Sequence, residues 1–142
     1  MQTPLPSSEN TKKTLNHHEI LYVDDDLQSR ILIQHLIGNH YDVVICATAE
    51  KAIELLKENT FDLILLDIRL DGEINGIDLL NFIKKLPWHN NVPVLAVTAF
   101  AFAEDKRYLL TCGFTDYISK PINLRSFKEM VKNYTPKESI IT

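Results

Sequence analysis

Short runs of consecutive apolar residues alternate along this chain with stretches in which apolar positions recur every three or four residues. The runs read as strands at Ile20–Asp24, Tyr41–Cys46, Leu63–Asp67, Val94–Val97 and Thr115–Ile118. The stretches between them read as helices at Leu27–Gly38, Ala49–Glu58, Ile77–Leu86, Ala103–Cys112 and Leu124–Tyr134. Asp26, Thr48 and Asn123 stand where N-caps belong, while Gly38, Pro87 and Gly113 stand where helices stop. In the second helix, Ala52, Ile53 and Leu56 share the inner face. In the last helix, Leu124, Phe127, Met130, Val131 and Tyr134 recur on one face and are expected in the core.

Strands alternating with helices imply an α/β domain with a parallel sheet covered on both faces. The near-continuous apolar character of the third and fourth strands fits burial on both sides. Crossovers between parallel strands are right-handed. The compact solution for five strands is the doubly wound order 2-1-3-4-5. A chain of 142 residues with 45% hydrophobic content supports one domain with a real core. Residues 1–17 are polar and carry Pro4 and Pro6, so a flexible N-terminal tail is expected, followed by the domain at 18–135 and a polar C-terminal tail at 136–142.

The charge balance narrows the partners. The net charge is −4 and no block of Lys or Arg occurs, which disfavours direct nucleic-acid binding. No stretch reaches the roughly 20 apolar residues that a membrane span needs. The first ten residues lack the apolar centre of a signal peptide, so a cytoplasmic location is expected. Cys46 and Cys112 have no metal-type spacing and are expected to be reduced, buried thiols. The histidines at 17, 18, 35, 40 and 89 lack partners at ligand or catalytic spacing.

The chemistry sits at the ends of the strands. The first run stops on Asp24-Asp25-Asp26, the third on Asp67, the fourth just before Thr98, and the fifth just before Ser119-Lys120-Pro121. In a parallel sheet these ends share one edge, where ligands bind. Asp67 is placed as a nucleophile, Asp24 and Asp25 as oxygen ligands, Thr98 as a hydroxyl donor and Lys120 as a point charge. Such a set suits Mg²⁺ and a phosphoryl group. Taken singly, each residue has a plainer role: an Asp caps or turns, a Thr builds a strand, a Lys is solvated. Their joint placement at four strand ends favours a shared site.

Four segments in this order carry a resemblance. They are Ile20-Leu21-Tyr22-Val23-Asp24-Asp25-Asp26, Asp62-Leu63-Ile64-Leu65-Leu66-Asp67-Ile68-Arg69-Leu70, Val94-Leu95-Ala96-Val97-Thr98-Ala99 and Tyr117-Ile118-Ser119-Lys120-Pro121. Over residues 18–135 the chain resembles the receiver domain of two-component response regulators, both single-domain regulators and receivers of hybrid histidine kinases. The resemblance implies the flavodoxin-like receiver fold and a phosphoacceptor signalling protein rather than a classical enzyme. Asp67 would accept phosphoryl from a histidine kinase or a histidine phosphotransfer protein. Asp25, Asp67 and the Arg69 carbonyl would hold Mg²⁺, with Asp24 acting through water. Thr98 and Lys120 would bind the phosphoryl oxygens, and Tyr117 would be the switch aromatic. The Lys120-Pro121 bond would be cis. Output would pass to a downstream protein through the surface of the fourth helix, fifth strand and fifth helix, since no output domain follows. The start at Met1 favours a free-standing protein over a fragment of a hybrid kinase.

The chain departs from that pattern after Asp67. Asp71 stands where a proline is usual, and the polar loop from Arg69 to Asn75 is one residue longer, with Glu73 adding charge near the site. Arg69 and Phe100 would border the entry to the phosphoryl group and set the lifetime of the phosphorylated state. Two other readings compete. A haloacid-dehalogenase-type phosphatase also places a DxD after the first strand and would use Asp24 as nucleophile, although Lys120 is followed by Pro121-Ile122-Asn123 instead of further acids. A receiver-fold interaction module that is never phosphorylated is the other. A flavin-binding protein is disfavoured because no Ser/Thr/Gly-rich phosphate loop follows the first strand.

Overall fold

The computed structural model describes residues 18–70, 72–99 and 103–136. Five strands alternate with five helices: β1 (Glu19–Val23), α1 (Leu27–Ile37), β2 (Asp42–Cys46), α2 (Ala49–Glu58), β3 (Leu63–Asp67), α3 (Gly76–Lys84), β4 (Val94–Thr98), α4 (Ala103–Cys112), β5 (Asp116–Ser119) and α5 (Leu124–Tyr134). Every strand pair is parallel and the order is β2-β1-β3-β4-β5, as the pattern predicts. The expected tails lie outside the described residues, apart from Pro136. No described helix is long and apolar enough to cross a membrane.

Neighbouring residues of a strand point to opposite faces, and this alternation builds two cores. Leu21, Val23, Ile64, Leu66, Val94 and Ala96 pack with helix residues such as Ala52, Leu56, Leu79, Ile83 and Leu109, so α2, α3 and α4 cover one face. Ile20, Tyr22, Leu63, Leu65, Leu95 and Val97 pack with Ile33, Ile37, Phe127 and Val131, so α1 and α5 cover the other. All residues of β3 and β4 are buried. Each large apolar side chain taken out of water there contributes roughly 1.5–3 kcal/mol before ordering costs.

The caps explain where helices begin. Asp26 accepts a hydrogen bond from the Ser29 amide at 2.9 Å, Thr48 from Lys51 at 3.1 Å and Asn123 from Ser126 at 3.0 Å, each satisfying an orphan helical donor. Helix α3 starts one residue earlier than its apolar period suggests. Asn75 accepts from the Asp78 amide while the Asp78 carboxylate accepts from the Asn75 amide, a reciprocal box that draws Gly76 into the helix. It also ends at Lys84, before Pro87 acts. Strand β5 is shifted by one residue, to Asp116–Ser119.

Three expectations about burial need correction. Leu124 is exposed, because as the first residue of α5 it stands beyond the part of the helix that lies on the sheet. Cys112 is half-buried, whereas Cys46 is buried as expected. The loop after β3 is less polar than its composition suggests: Leu70 is buried in the core cluster on the α2–α4 face, and Ile74 packs on the same cluster. Asp71 itself lies outside the described residues.

His89, in the connection between α3 and β4, is fully buried. Its Nε2 accepts a hydrogen bond from the Phe61 amide at 3.0 Å, and its ring stacks on Phe61 with centroids 5.9 Å apart. The proton therefore sits on Nδ1, which has no hydrogen-bond partner among the described residues. Burial lowers the imidazole pKa to about 4. The folded state thus binds the proton less well than the unfolded chain, whose His titrates near about 6.5. Stability is full above that value and falls as pH drops toward 4, by up to ~3 kcal/mol. His89→Gln keeps an acceptor for Phe61 and removes the titration. Urea unfolding at pH 7 and pH 4.5 should show the native chain losing more stability on acidification than the variant. Equal losses in both would refute this.

Candidate phosphoacceptor site

The site is built by strand register. β1 and β3 pair from Ile20↔Leu63 to Val23↔Leu66. One step further brings Asp24 level with Asp67, on the same side as Tyr22 and Leu65. Carboxylate oxygens of Asp24, Asp25 and Asp67 lie within 4.8 Å of one another. Asp24 and Asp67 are buried and Asp25 is half-buried, because it opens the turn into α1.

Lys120 reaches this cluster from the end of β5. Its Nζ lies 2.9 Å from Asp24 Oδ2 and 3.4 Å from Asp67 Oδ2. Its backbone amide donates to the Thr98 carbonyl at 2.8 Å, which ties the ends of β4 and β5 together and puts buried Thr98 beside the lysine. The Lys120–Pro121 peptide bond is cis, as the resemblance implies. The other Asp67 oxygen, Oδ1, accepts from the Arg69 amide at 3.1 Å, while the Arg69 side chain is exposed.

The electrostatics follow from this crowding. Burial first, and then the Asp24 charge, push the Asp67 carboxyl up to about 6, against the lowering pull of Lys120 and the Arg69 amide. For Lys120, burial works against the charged form, but hydrogen bonding to Asp24 and the two carboxylate charges outweigh it and raise the pKa. Three carboxylates against one ammonium leave surplus negative charge. The donors are all hard oxygens, which fits Mg²⁺ and not a soft metal.

Two participants escaped the sequence reading. The buried Tyr22 hydroxyl donates to Asp24 Oδ2, and burial together with Asp24 holds the phenol above its usual range, so it remains a neutral donor. Its position two residues before Asp24, hence on the same face, was the available signal. Arg30 donates from Nη1 to the Asp24 carbonyl at 3.0 Å, one helical turn after the cap Asp26. Tyr117 lies away from the carboxylates on β5, half-buried against the α2–α4 core, with Lys106 Nζ 5.0 Å from its ring centroid. Phe100 lies outside the described residues.

Known proteins share both sequence and shape with this chain. The family model of the response regulator receiver domain matches residues 20–132. The signal transduction histidine-protein kinase BarA of Escherichia coli strain K12 is 34% identical over 139 residues, covering 97% of this chain but 15% of BarA. The polar-differentiation response regulator DivK of Brucella ovis is 34% identical over 116 residues, covering 81% of this chain and 94% of DivK. Among solved structures, the receiver domain of the sensor histidine kinase PA1611 from Pseudomonas aeruginosa has a TM-score of 0.75 at 26% identity, over 83% of this chain and 97% of that one. That structure has a magnesium ion coordinated in its active site cleft. Parallel order, strand-end carboxylates and a match over nearly the whole described chain agree: the protein belongs to the response regulator receiver domain family of two-component signalling.

Proposed function

We propose that this receiver accepts a phosphoryl group from a phosphohistidine onto Asp67 and converts that event into altered binding of a partner protein. The observation that carries the reading is the juxtaposition of Asp67 with Asp24, Asp25 and Lys120 at the mouth of the sheet. An Asp67 oxygen attacks phosphorus, the P–N bond breaks, and the electron pair leaves on the imidazole of the donor. At pH 7 the ionised nucleophile predominates even with its pKa near 6. Asp24, Asp25, Asp67 and the Arg69 carbonyl would hold Mg²⁺, which when bound offsets charge on the phosphoryl oxygens. Lys120 and the Thr98 hydroxyl hold the remaining oxygens in place. Arg69, two residues past Asp67, and Phe100, two residues past Thr98, set how long the acyl phosphate lasts. The donor is a histidine kinase or a histidine phosphotransfer protein, and the setting is the cytoplasm. Asp24 is less suited to be the nucleophile: it is fully buried and its Oδ2 is shared by the Tyr22 hydroxyl and Lys120, whereas Asp67 keeps some exposure. The direct test is incubation with acetyl phosphate and Mg²⁺, followed by mass spectrometry of proteolytic fragments. One phosphoryl group on Asp67 is expected; a label on Asp24, or none, would refute the reading.

Transmission runs through Thr98. Phosphorylation shifts a conformational equilibrium only through contacts that differ between its two states. Here the new contact is Thr98 with the phosphoryl oxygens, and its movement makes room for Tyr117 to turn inward, changing the α4-β5-α5 face. Couplings of this kind are typically ~1–3 kcal/mol. Thr98→Ala should still take beryllofluoride at Asp67, but amide shifts in α4 and β5 should change far less than in the native chain. A full native response in that variant would disprove the coupling.

A further inference from the structure

The buried hydroxyl of Tyr22 has no place in the chemistry above, yet it touches the site. It and Lys120 Nζ both bond the same oxygen, Asp24 Oδ2, while Oδ1 takes the Asp26 amide at 2.9 Å. Lys120 lies nearer to Asp24, at 2.9 Å, than to Asp67, at 3.4 Å. From this sharing we infer that Tyr22 is a positioning residue: its hydroxyl saturates Asp24 Oδ2 and thereby loosens the hold of Asp24 on Lys120, leaving the ammonium free to serve a phosphoryl group on Asp67. The inference rests on the phosphoacceptor reading and adds a residue to it.

The physical basis is competition for one oxygen. A fully buried carboxylate oxygen attracts any remaining donor or cation more strongly when one of its donors is removed, because no bulk water replaces the lost bond. Without the Tyr22 hydroxyl, Asp24 Oδ2 keeps Lys120 as its one side-chain donor among the described residues and holds it more tightly. The same oxygen also becomes a better acceptor for the hydration shell of a nearby cation. The two ligands of the site should therefore respond in opposite senses. A residue that merely fills space would move them together.

Tyr22→Phe keeps the ring in the core and deletes only the hydroxyl. Two dissociation constants are to be measured by NMR titration: Mg²⁺ alone, and beryllofluoride at saturating Mg²⁺. The variant should bind Mg²⁺ about threefold to tenfold more tightly and beryllofluoride more weakly by a similar factor. In an Asp24→Asn background, Tyr22→Phe should change beryllofluoride affinity by less than about twofold, since its route through the carboxylate is gone. Placing 3-fluorotyrosine at position 22, a stronger donor of almost the same volume, should move both constants the other way. That arm also decides the matter if the phenylalanine variant fails to fold. Parallel weakening of both ligands, no change beyond about twofold, or an effect that persists with Asp24→Asn would overturn the role of Tyr22. Failure of the native chain to bind beryllofluoride at all would overturn the phosphoacceptor reading itself.

Discussion

Asp67→Asn should end labelling by acetyl phosphate, with a fall of at least about 100-fold in incorporated phosphoryl, because an amide lacks the charge and lone-pair availability of a nucleophilic carboxylate. Intact-mass and fragment spectra taken over the same time course check it. Transfer of the label to Asp24 in that variant would sink the receiver chemistry and favour a phosphatase-like nucleophile. The same variant should be more stable than the native chain at neutral pH without Mg²⁺. The sign follows from the raised pKa of about 6 against an unfolded value near 3.8. A raised carboxyl makes the folded state the better proton binder, so the ionised group opposes folding above pH 6 and that opposition fades as pH falls toward 3.8. Replacing it should gain up to ~3 kcal/mol at pH 7.5 and much less at pH 4. Thermal melts of both proteins at the two pH values, in a chelator, measure the difference. A native chain that is the more stable of the two at pH 7.5 would contradict the proposed cost of ionising Asp67.

Gly76→Ala should damage fold and site together. A Cβ at Gly76 would stand 2.5 Å from the Asp67 carbonyl oxygen and 2.8 Å from Ile68 Cα. Both are backbone atoms, so no side chain can swing aside. The Gly76 amide also donates to the Ile68 carbonyl at 3.1 Å, fixing the start of α3 against the end of β3. Relief requires α3 or the Asp67–Ile68 segment to move, at a cost of roughly 1–3 kcal/mol or more. The melting temperature should drop by several degrees. Phosphoryl uptake should fall more than tenfold even where the variant is fully folded, because small displacements of a nucleophile carry large rate penalties. Native-like uptake with native-like melting would show that the segment gives way freely.

The architecture was legible because its signals are periodic and mutually consistent. Apolar runs at β3 and β4, amphipathic spacing in α2 and α5, and the caps Asp26, Thr48 and Asn123 each identify an element without reference to the others. The convergence of the carboxylates and Lys120 was legible, since parallel strands deliver their ends to one edge. What stayed hidden depends on three-dimensional neighbours. The hydroxyl of Tyr22 reads in sequence as one more strand side chain, and His89 as one more loop histidine; only the packing of Phe61 and the position of Asp24 give them partners. Leu124 shows the opposite limit. Its spacing places it on the inner stripe of α5, but the stripe extends beyond the surface it covers.

The level placement of Asp24 and Asp67 has a mechanical consequence. Asp67 is the last residue of β3, and Asp24 is the first residue after β1, its amide bonded to the Cys46 carbonyl at the end of β2, so the pairing of β1 with β3 limits how far the two carboxylates can separate. Displacement of the 72–75 segment or of α4 would alter access to Asp67 without altering the spacing of the acids. To lose that spacing the molecule must disturb the β1–β3 pairing in the interior of the sheet, and core strands open at free energies near that of global unfolding. On the proposed reading, competence to receive a phosphoryl group would be lost only with the sheet itself, while its readout on the outer helices would be graded.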